Sequence, residues 1–244
     1  MSAISASELL QIWERGLVQT PADRALELLA ATLPDSPRES LANRSLGGRT
    51  RELLRLRERL FGRQMAAVAA CPRCAERLEI SLDAEEMRSD SERAREGELA
   101  LSVAGYDVSF RPPSTADVIE SAQQADATAG RALVLRRCVL SARRGSESVE
   151  PGQLPPEVVE AVAQSMADAD PLADIHIIIS CPACGYGWRA AFDVVSFLWT
   201  EIEAWAWRVL GDVHTLASAY GWRERDILDL SPTRRQLYLE MVGA

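Results

Sequence analysis

Apolar residues recur every three or four positions through the first sixty residues, a spacing that predicts helices. Ser5 and Glu8 have the spacing of a capping box, which indicates that a first helix begins there. Pro21 is placed to start a second helix, which should end before Pro34. A third helix is expected over residues 50–61, where arginines alternate with leucines; its charged positions are interpreted as a solvated face.

The apolar period changes from helical to strand-like in the middle of the chain. Residues 99–103 and 106–110 alternate on either side of Gly105, which predicts a β-hairpin. An acidic linker is expected before it, over residues 84–97. The hairpin should be followed by helices and one loop, with the helices over residues 114–124, 129–142 and 156–166 and the loop over 143–152.

The last fifty residues are the most aromatic part of the chain. Helices are expected over residues 194–210, 212–219 and 224–230, and a final one should run from Ser231 to Gly243. The first of these is apolar on more than one side, so it is buried either in its own domain or against a partner. Aromatic side chains are favoured interface anchors. The candidate partner-binding residues are Trp199, Trp205, Trp207, Tyr220, Trp222 and Tyr238.

The most specific signal is a repeated CPxC motif, at residues 71–74 and again at residues 181–184. Alternating apolar residues follow both motifs, and an aspartate stands at the same offset in each copy, at Asp83 and Asp193. A candidate strand precedes each motif. Strand, tight CPxC turn and return strand make a zinc knuckle, and two knuckles supply the four thiolates of a tetrahedral site.

We therefore predict one structural zinc ion, with the ligands Cys71, Cys74, Cys181 and Cys184. Four thiolates close the shell and leave no position for water, so the site should stabilise the fold and not catalyse. The alternatives are a redox pair or two unrelated motifs; a redox CxxC usually opens a helix, whereas strand patterns follow here. His176 and His214 are interpreted as core or surface residues. Cys138, with no partner nearby in sequence, is interpreted as a buried helix thiol.

Composition narrows the class of protein further. The 244 residues are 47% hydrophobic, which excludes wholesale disorder, and the net charge of −9 argues against a main role in binding phosphate backbones. All basic residues are arginines. No apolar stretch is long enough for membrane insertion, and cytoplasmic localisation is expected. Phosphate-loop, dinucleotide-binding, HExxH and GxSxG motifs are absent, so no catalytic residues are assigned and an enzyme is not expected.

Several segments resemble a family encoded with contractile phage tails and phage-like contractile injection systems, the baseplate proteins of the T-even phage type. These segments are residues 9–16 and 21–26, the CPxC knuckle after Leu60-Phe-Gly62, and residues 216–238. The resemblance implies a non-enzymatic structural protein or assembly chaperone, with other tail proteins (hub, spike or wedge) as partners. It also implies a place within a particle assembled in the cytoplasm, where the chain could form an oligomer.

Two other functions fit parts of the chain. A nucleic-acid-binding regulator would use a zinc ribbon with a helix-turn-helix around Gly221, residues 223–230 being the recognition helix. Acidic residues in that helix and the overall negative charge argue against it. A zinc-dependent hydrolase would need an open ligand position, which four cysteines do not leave.

The expected fold is α+β and mainly helical, with a discontinuous four-cysteine zinc ribbon and an inserted β-hairpin. We predict an N-terminal helical region over residues 1–65 and an aromatic C-terminal helical region over 194–244. The ribbon should comprise residues 66–83 and 175–193, with residues 84–174 as an insertion between its two knuckles. Together these regions are expected to form one compact unit.

Overall fold

A computed structural model describes residues 4–89 and 97–243 of the chain. Its residues group into two compact units, unit 1 formed by residues 1–32 with 195–244, and unit 2 by residues 33–194. The helices are α1 (Ala6–Gly16), α2 (Pro21–Thr32), α3 (Arg38–Ala42), α4 (Leu46–Phe61), α5 (Ala84–Ser89), α6 (Thr115–Ser121), α7 (Ala127–Cys138), α8 (Pro156–Ala169), α9 (Val194–Tyr220), α10 (Glu224–Leu228) and α11 (Pro232–Gly243). The strands are β1 (Gln64–Ala70), β2 (Arg77–Asp83), β3 (Leu99–Val103), β4 (Tyr106–Phe110), β5 (Val139–Arg144), β6 (Glu147–Ser148), β7 (His176–Ser180) and β8 (Gly187–Ala191).

Unit 1 is helical and combines both ends of the chain. The predicted capping box is confirmed, since the Ser5 side chain and Glu8 exchange hydrogen bonds at the start of α1. α1 packs closely on α9, because a Cβ at Gly16 would lie 2.0 Å from the Trp199 ring. The Arg24 guanidinium lies 4.4 Å from the centre of the same ring. The glycine thus permits the helix contact that buries Trp199.

Helix α4 in unit 2 begins four residues earlier than the sequence predicted. Its N-cap, Ser45, accepts a hydrogen bond from the Gly48 amide. The Asp170 carboxylate, 123 positions away in sequence, accepts another from the Gly47 amide at 2.8 Å. A buried carboxylate at a helix N-terminus satisfies a free amide and the helix dipole together. The first turn of α4 therefore contains Gly47 and Gly48, although the local helix propensity of two glycines favours a loop.

The predicted hairpin is confirmed as β3 and β4, but it belongs to a larger sheet with the strand order β3-β4-β5-β6. The helix expected over residues 129–142 was wrong at its end. It stops at Cys138, and Val139 continues as β5, which pairs with β4. Part of the loop expected over residues 143–152 is likewise strand. Alternating apolar residues of the sheet pack against α8, and this tertiary contact overrides the helical spacing.

The C-terminal segment also departs from the prediction. α9 continues from Val194 to Tyr220, so the break expected near Gly211 is wrong. Gly211 is exposed and has no neighbouring atom around its missing Cβ, while Leu216 beyond it is fully buried. Burial of the later turns carries the helix through the glycine, and Gly221, with φ of 67°, follows its end. The linker expected over 84–97 begins with helix α5, and its residues 90–96 lie outside the described residues.

A buried ionic cluster joins β4, α6 and α7. The Asp117 carboxylate is completely buried and accepts hydrogen bonds from Arg111, from Arg137 and from Ser114. The Cys138 sulfur lies 3.8 Å from an oxygen of this carboxylate. Burial raises the pKa of Cys138 to about 12, which keeps it a neutral thiol, as its interpretation as a buried helix thiol requires.

The architecture confirms the predicted fold class, since helices predominate and small antiparallel sheets include two separate hairpins that carry the cysteines. The four-region division of the chain stays a prediction. Among the described residues, no helix combines the length and the apolarity that a bilayer crossing requires.

Candidate metal centre

The first CPxC motif forms the turn of the hairpin β1–β2. The strands pair without a bulge from Gln64 opposite Asp83 to Ala70 opposite Arg77. The Cys71 amide donates to the Glu76 carbonyl at 2.8 Å, and the Ala75 amide donates to the Cys71 carbonyl at 2.9 Å. These bonds bend the backbone tightly around the two sulfurs.

The second motif repeats the same turn in the hairpin β7–β8. The Cys181 amide donates to the Tyr186 carbonyl, and the Gly185 amide donates to the Cys181 carbonyl, both at 2.9 Å. Gly185 has a φ of 68°, and Ala75, at the equivalent position of the first turn, has a φ of 60°. The turn therefore demands a left-handed residue, which glycine supplies without strain and alanine does not.

The two turns bring all four predicted cysteines together. The sulfurs of Cys71 and Cys184 lie 3.7 Å apart, as do those of Cys74 and Cys181. All four sulfurs lie within 4.8 Å of one another, and within the described residues no histidine or carboxylate joins this cluster. Cys71 and Cys181 are buried, whereas Cys74 is exposed. The cluster could therefore hold one metal ion with an all-sulfur shell.

Backbone amides and neighbouring thiols shift the pKa values of the cysteines in opposite directions. Burial raises the pKa of Cys71, but amide hydrogen bonds at Arg73 and Cys74 outweigh it and lower the pKa to about 7. The Glu76 amide lowers the pKa of Cys74, but burial and the neighbouring sulfurs outweigh it and raise the pKa to about 12. Four adjacent thiols cannot all ionise cheaply unless a cation lies between them.

The aspartate that follows each CPxC motif at the same distance, Asp83 or Asp193, has a structural role that the sequence did not show. Asp83 ends the first hairpin and accepts hydrogen bonds from the amides of Glu85 and Glu86 at the start of α5. It also pairs with Arg63, which directly precedes β1 at the same open end of the hairpin. Asp193 follows the second hairpin and stands directly before α9. Burial lowers the pKa of the Arg49 guanidinium, and the nearby Asp193 carboxylate opposes part of this shift. The repeat is thus a hairpin followed by a helix, with an aspartate between them.

The six aromatic candidates for partner binding have different environments. Trp199 is buried in unit 1, whereas Trp207 is 64% exposed and packs edge-on against Trp13. Three of them form a cluster beyond α9, with ring centres 4.7 to 5.9 Å apart: Tyr220, Trp222 and Tyr238. Their partner-binding role stays a prediction.

Two hairpins present four cysteines to one point, a zinc-ribbon-like arrangement that could hold one metal ion. A family model described as T4 bacteriophage base plate protein matches residues 51–199, which include both hairpins. The chain belongs to this family, as the resemblance of its motifs implied. Of the segments that showed the resemblance, the first knuckle lies in the matched range, whereas residues 9–26 and 216–238 lie outside it. No curated protein and no solved structure matches the chain.

Proposed function

We propose that the protein is a non-enzymatic structural or assembly component of a contractile-tail baseplate, held together by a structural zinc ion. The observation that carries this proposal is the family match over residues 51–199, which covers most of α4, both cysteine hairpins and the sheet between them. The all-sulfur cluster of the protein supports a scaffold role, because a metal ion held by four thiolates has no coordination position for a reacting molecule.

Zinc is the metal that best fits the cluster. Four thiolates around a tetrahedral zinc ion, each about 2.3 Å from the metal, stand about 3.8 Å from one another. Two of the sulfur separations, both 3.7 Å, agree with this arrangement, and all four sulfurs lie within 4.8 Å of one another. Cys71, Cys74, Cys181 and Cys184 would hold the ion and join two hairpins about a hundred residues apart in sequence. Such closure of a long loop removes chain entropy from the unfolded state.

Metal analysis of the purified chain tests the zinc assignment. We expect one zinc ion per chain, and loss of zinc with a lower melting temperature in Cys71→Ser and in Cys184→Ser. Cys138→Ser is the matched control, since Cys138 is buried outside the cluster, and it should keep the metal. The assignment is wrong if both ligand variants melt like the parent, or if the parent purified without added metal or chelator contains no zinc.

The helical surfaces would bind other tail proteins of the hub, spike or wedge. Trp207 and Tyr220 supply exposed aromatic area of the kind that anchors interfaces. Both lie outside the matched range, so this contact rests on their exposure and not on the family match. Assembly would take place in the cytoplasm.

A tagged chain in its native host separates the two forms of the proposal. Mass spectrometry should find it either in purified sheathed particles or with unassembled tail proteins in the free pool. The first result defines a baseplate subunit and the second an assembly chaperone. Recovery with DNA or polymerase and with no tail protein would overturn the proposal.

A further inference from the structure

The hairpin β7–β8 has an open strand edge. Within the described residues, β7 pairs with β8 alone, so one side of β7 has no strand beside it. Ile178, at the centre of β7, is 82% exposed. An apolar side chain with so little cover in the middle of a strand is a known liability for edge-to-edge pairing.

The hydrogen-bond alternation shows which backbone groups point outward. Bonds from the Cys181 amide to Tyr186 and from the Phe192 amide to Ile175 mark both ends of the hairpin. In an antiparallel ladder, directly opposite residues alternate between bonded and non-bonded pairs. The bonded residues on this strand are therefore the odd-numbered ones, 175 to 181. The outward amides and carbonyls belong to His176, Ile178 and Ser180.

The side chains of β7 leave this edge without electrostatic protection. β7 contains one histidine, one serine and three isoleucines, and no arginine or carboxylate. Its neighbour β8 carries Arg189 directly opposite Ile178. The equivalent strand β1 is also uncharged, but four of its seven residues are alanines, which have low strand propensity. β7 is thus the better template for a further strand.

We propose that β7 pairs antiparallel with β7 of a second copy of this chain, around a two-fold axis at Ile178. In this register Ile178 faces its own equivalent, and His176 faces Ser180 of the second copy. These are the residues whose amides and carbonyls point outward, so each of the three pairs exchanges two backbone hydrogen bonds. Pro182, which has no amide hydrogen, limits the ladder beyond Ser180.

A second copy fits this edge because the strand is its own complement. β7 has five residues with Ile178 at the centre, so the two-fold register places Ile178 against Ile178, a favourable cross-strand pair. No charged side chain of β7 meets a like charge. The two Arg189 side chains would lie three strand spacings apart, about 14 Å, where screening by salt is strong. The short ladder predicts a weak, reversible dimer. The inference needs the folded hairpin and does not depend on the baseplate role.

Sedimentation equilibrium of the zinc-saturated full chain tests this pairing. Between about 5 and 500 µM we expect the mass to rise from the monomer value of 26.8 kDa toward twice that value. Ile178→Lys should weaken association about tenfold or more, because two ammonium groups would meet at the axis. Val68→Lys is the matched control, since Val68 holds the equivalent position in β1 and is 59% exposed. It should associate like the parent.

Amide exchange measured by NMR distinguishes backbone pairing from other contacts. With rising concentration, the amides of His176, Ile178 and Ser180 should become protected, whereas those of Ile177 and Ile179 should not change. Zinc content measured in each sample shows that the hairpin is intact. A monomer at every concentration, a dimer unaffected by Ile178→Lys, or a dimer lost in Val68→Lys would overturn the proposal.

Discussion

Asp117→Asn removes the charge at the centre of the ionic cluster while it keeps the shape of the side chain. The carboxylate is fully buried and holds two guanidinium groups, with bonds of 2.6 and 3.0 Å to Arg111 and of 2.6 Å to Arg137. The amide of the variant would leave Arg111 without its counter-charge, and Arg137 with only the Glu120 carboxylate, 2.9 Å from its guanidinium. Breaking one partner of a buried ion pair costs about 3–5 kcal/mol.

Solvent reduces this cost here. The side chains of Arg111 and Arg137 are 29% and 32% exposed, so water screens part of the uncompensated charge. We therefore expect Asp117→Asn to lower the free energy of unfolding by about 2–4 kcal/mol. Asp107→Asn is the control, because Asp107 is exposed on β4 and accepts one hydrogen bond, from Ser102. It should cost less than about 0.5 kcal/mol.

The same ionic cluster makes the free energy of unfolding depend on pH. Burial raises the pKa of Asp117, but hydrogen bonds from Arg111 and Arg137 outweigh it and hold the pKa far below the usual 3.8. Because the pKa is lower in the folded state than in the unfolded state, ionised Asp117 stabilises the fold fully at any pH above its unfolded-state pKa. This stabilisation is lost as the pH falls toward the folded-state pKa. The difference between parent and Asp117→Asn should thus stay constant from about pH 8 to 5 and shrink below about pH 4.

Urea unfolding followed by far-ultraviolet circular dichroism measures these free energies, with zinc content checked before each series. Hydrogen exchange of β4 locates the effect, since its amides should exchange faster in Asp117→Asn and not in Asp107→Asn. A loss below about 1 kcal/mol in Asp117→Asn, or a difference that persists unchanged to pH 3, would refute the reasoning.

Three further outcomes follow from the packing and the turns. In thermal melts, Gly16→Ala should destabilise the protein by about 1–3 kcal/mol, because the added Cβ would collide with Trp199. Gly211→Ala, in the exposed part of α9, is its control and should be neutral or stabilising by up to about 1 kcal/mol. Ala75→Gly should raise stability and Gly185→Ala should lower it, each by about 1 kcal/mol in urea titrations, since both positions are left-handed; equal effects of the same sign would contradict this. A strong zinc chelator should lower the melting temperature, and added zinc should restore it; a melt unchanged by metal removal would argue against a structural ion.

The cluster of four cysteines was the part of the molecule that the sequence predicted best. The CPxC repeat specifies its local geometry because each turn and its flanking strands form within 20 residues or fewer, so both cysteine pairs could be identified without knowledge of the fold. The equal offset of Asp83 and Asp193 was visible too. Their positions before α5 and α9 became clear only with the helices in place.

The wrong boundaries lie where distant residues decide local structure. Residues after Cys138 have helical spacing, yet they complete the sheet beside β4, whose apolar side chains need a partner. The start of α4 depends on Asp170, which no window around Gly47 contains. Gly211 has a weak helix propensity of its own, but the burial of Leu216 holds α9 through it. In each case tertiary contacts outweigh a local preference of about 1 kcal/mol.

The sequence by itself determined the four thiols, the two turns that present them, and the predominance of helices, because short-range spacing and capping fix these features. The repeat also predicted that the two turns meet at one site. Only the tertiary structure decided that Asp117 pairs with two arginines and that Ile178 lies open at a strand edge. Those features depend on which distant segments pack together. Local spacing does not encode that choice; the burial of apolar surface across the whole chain selects it.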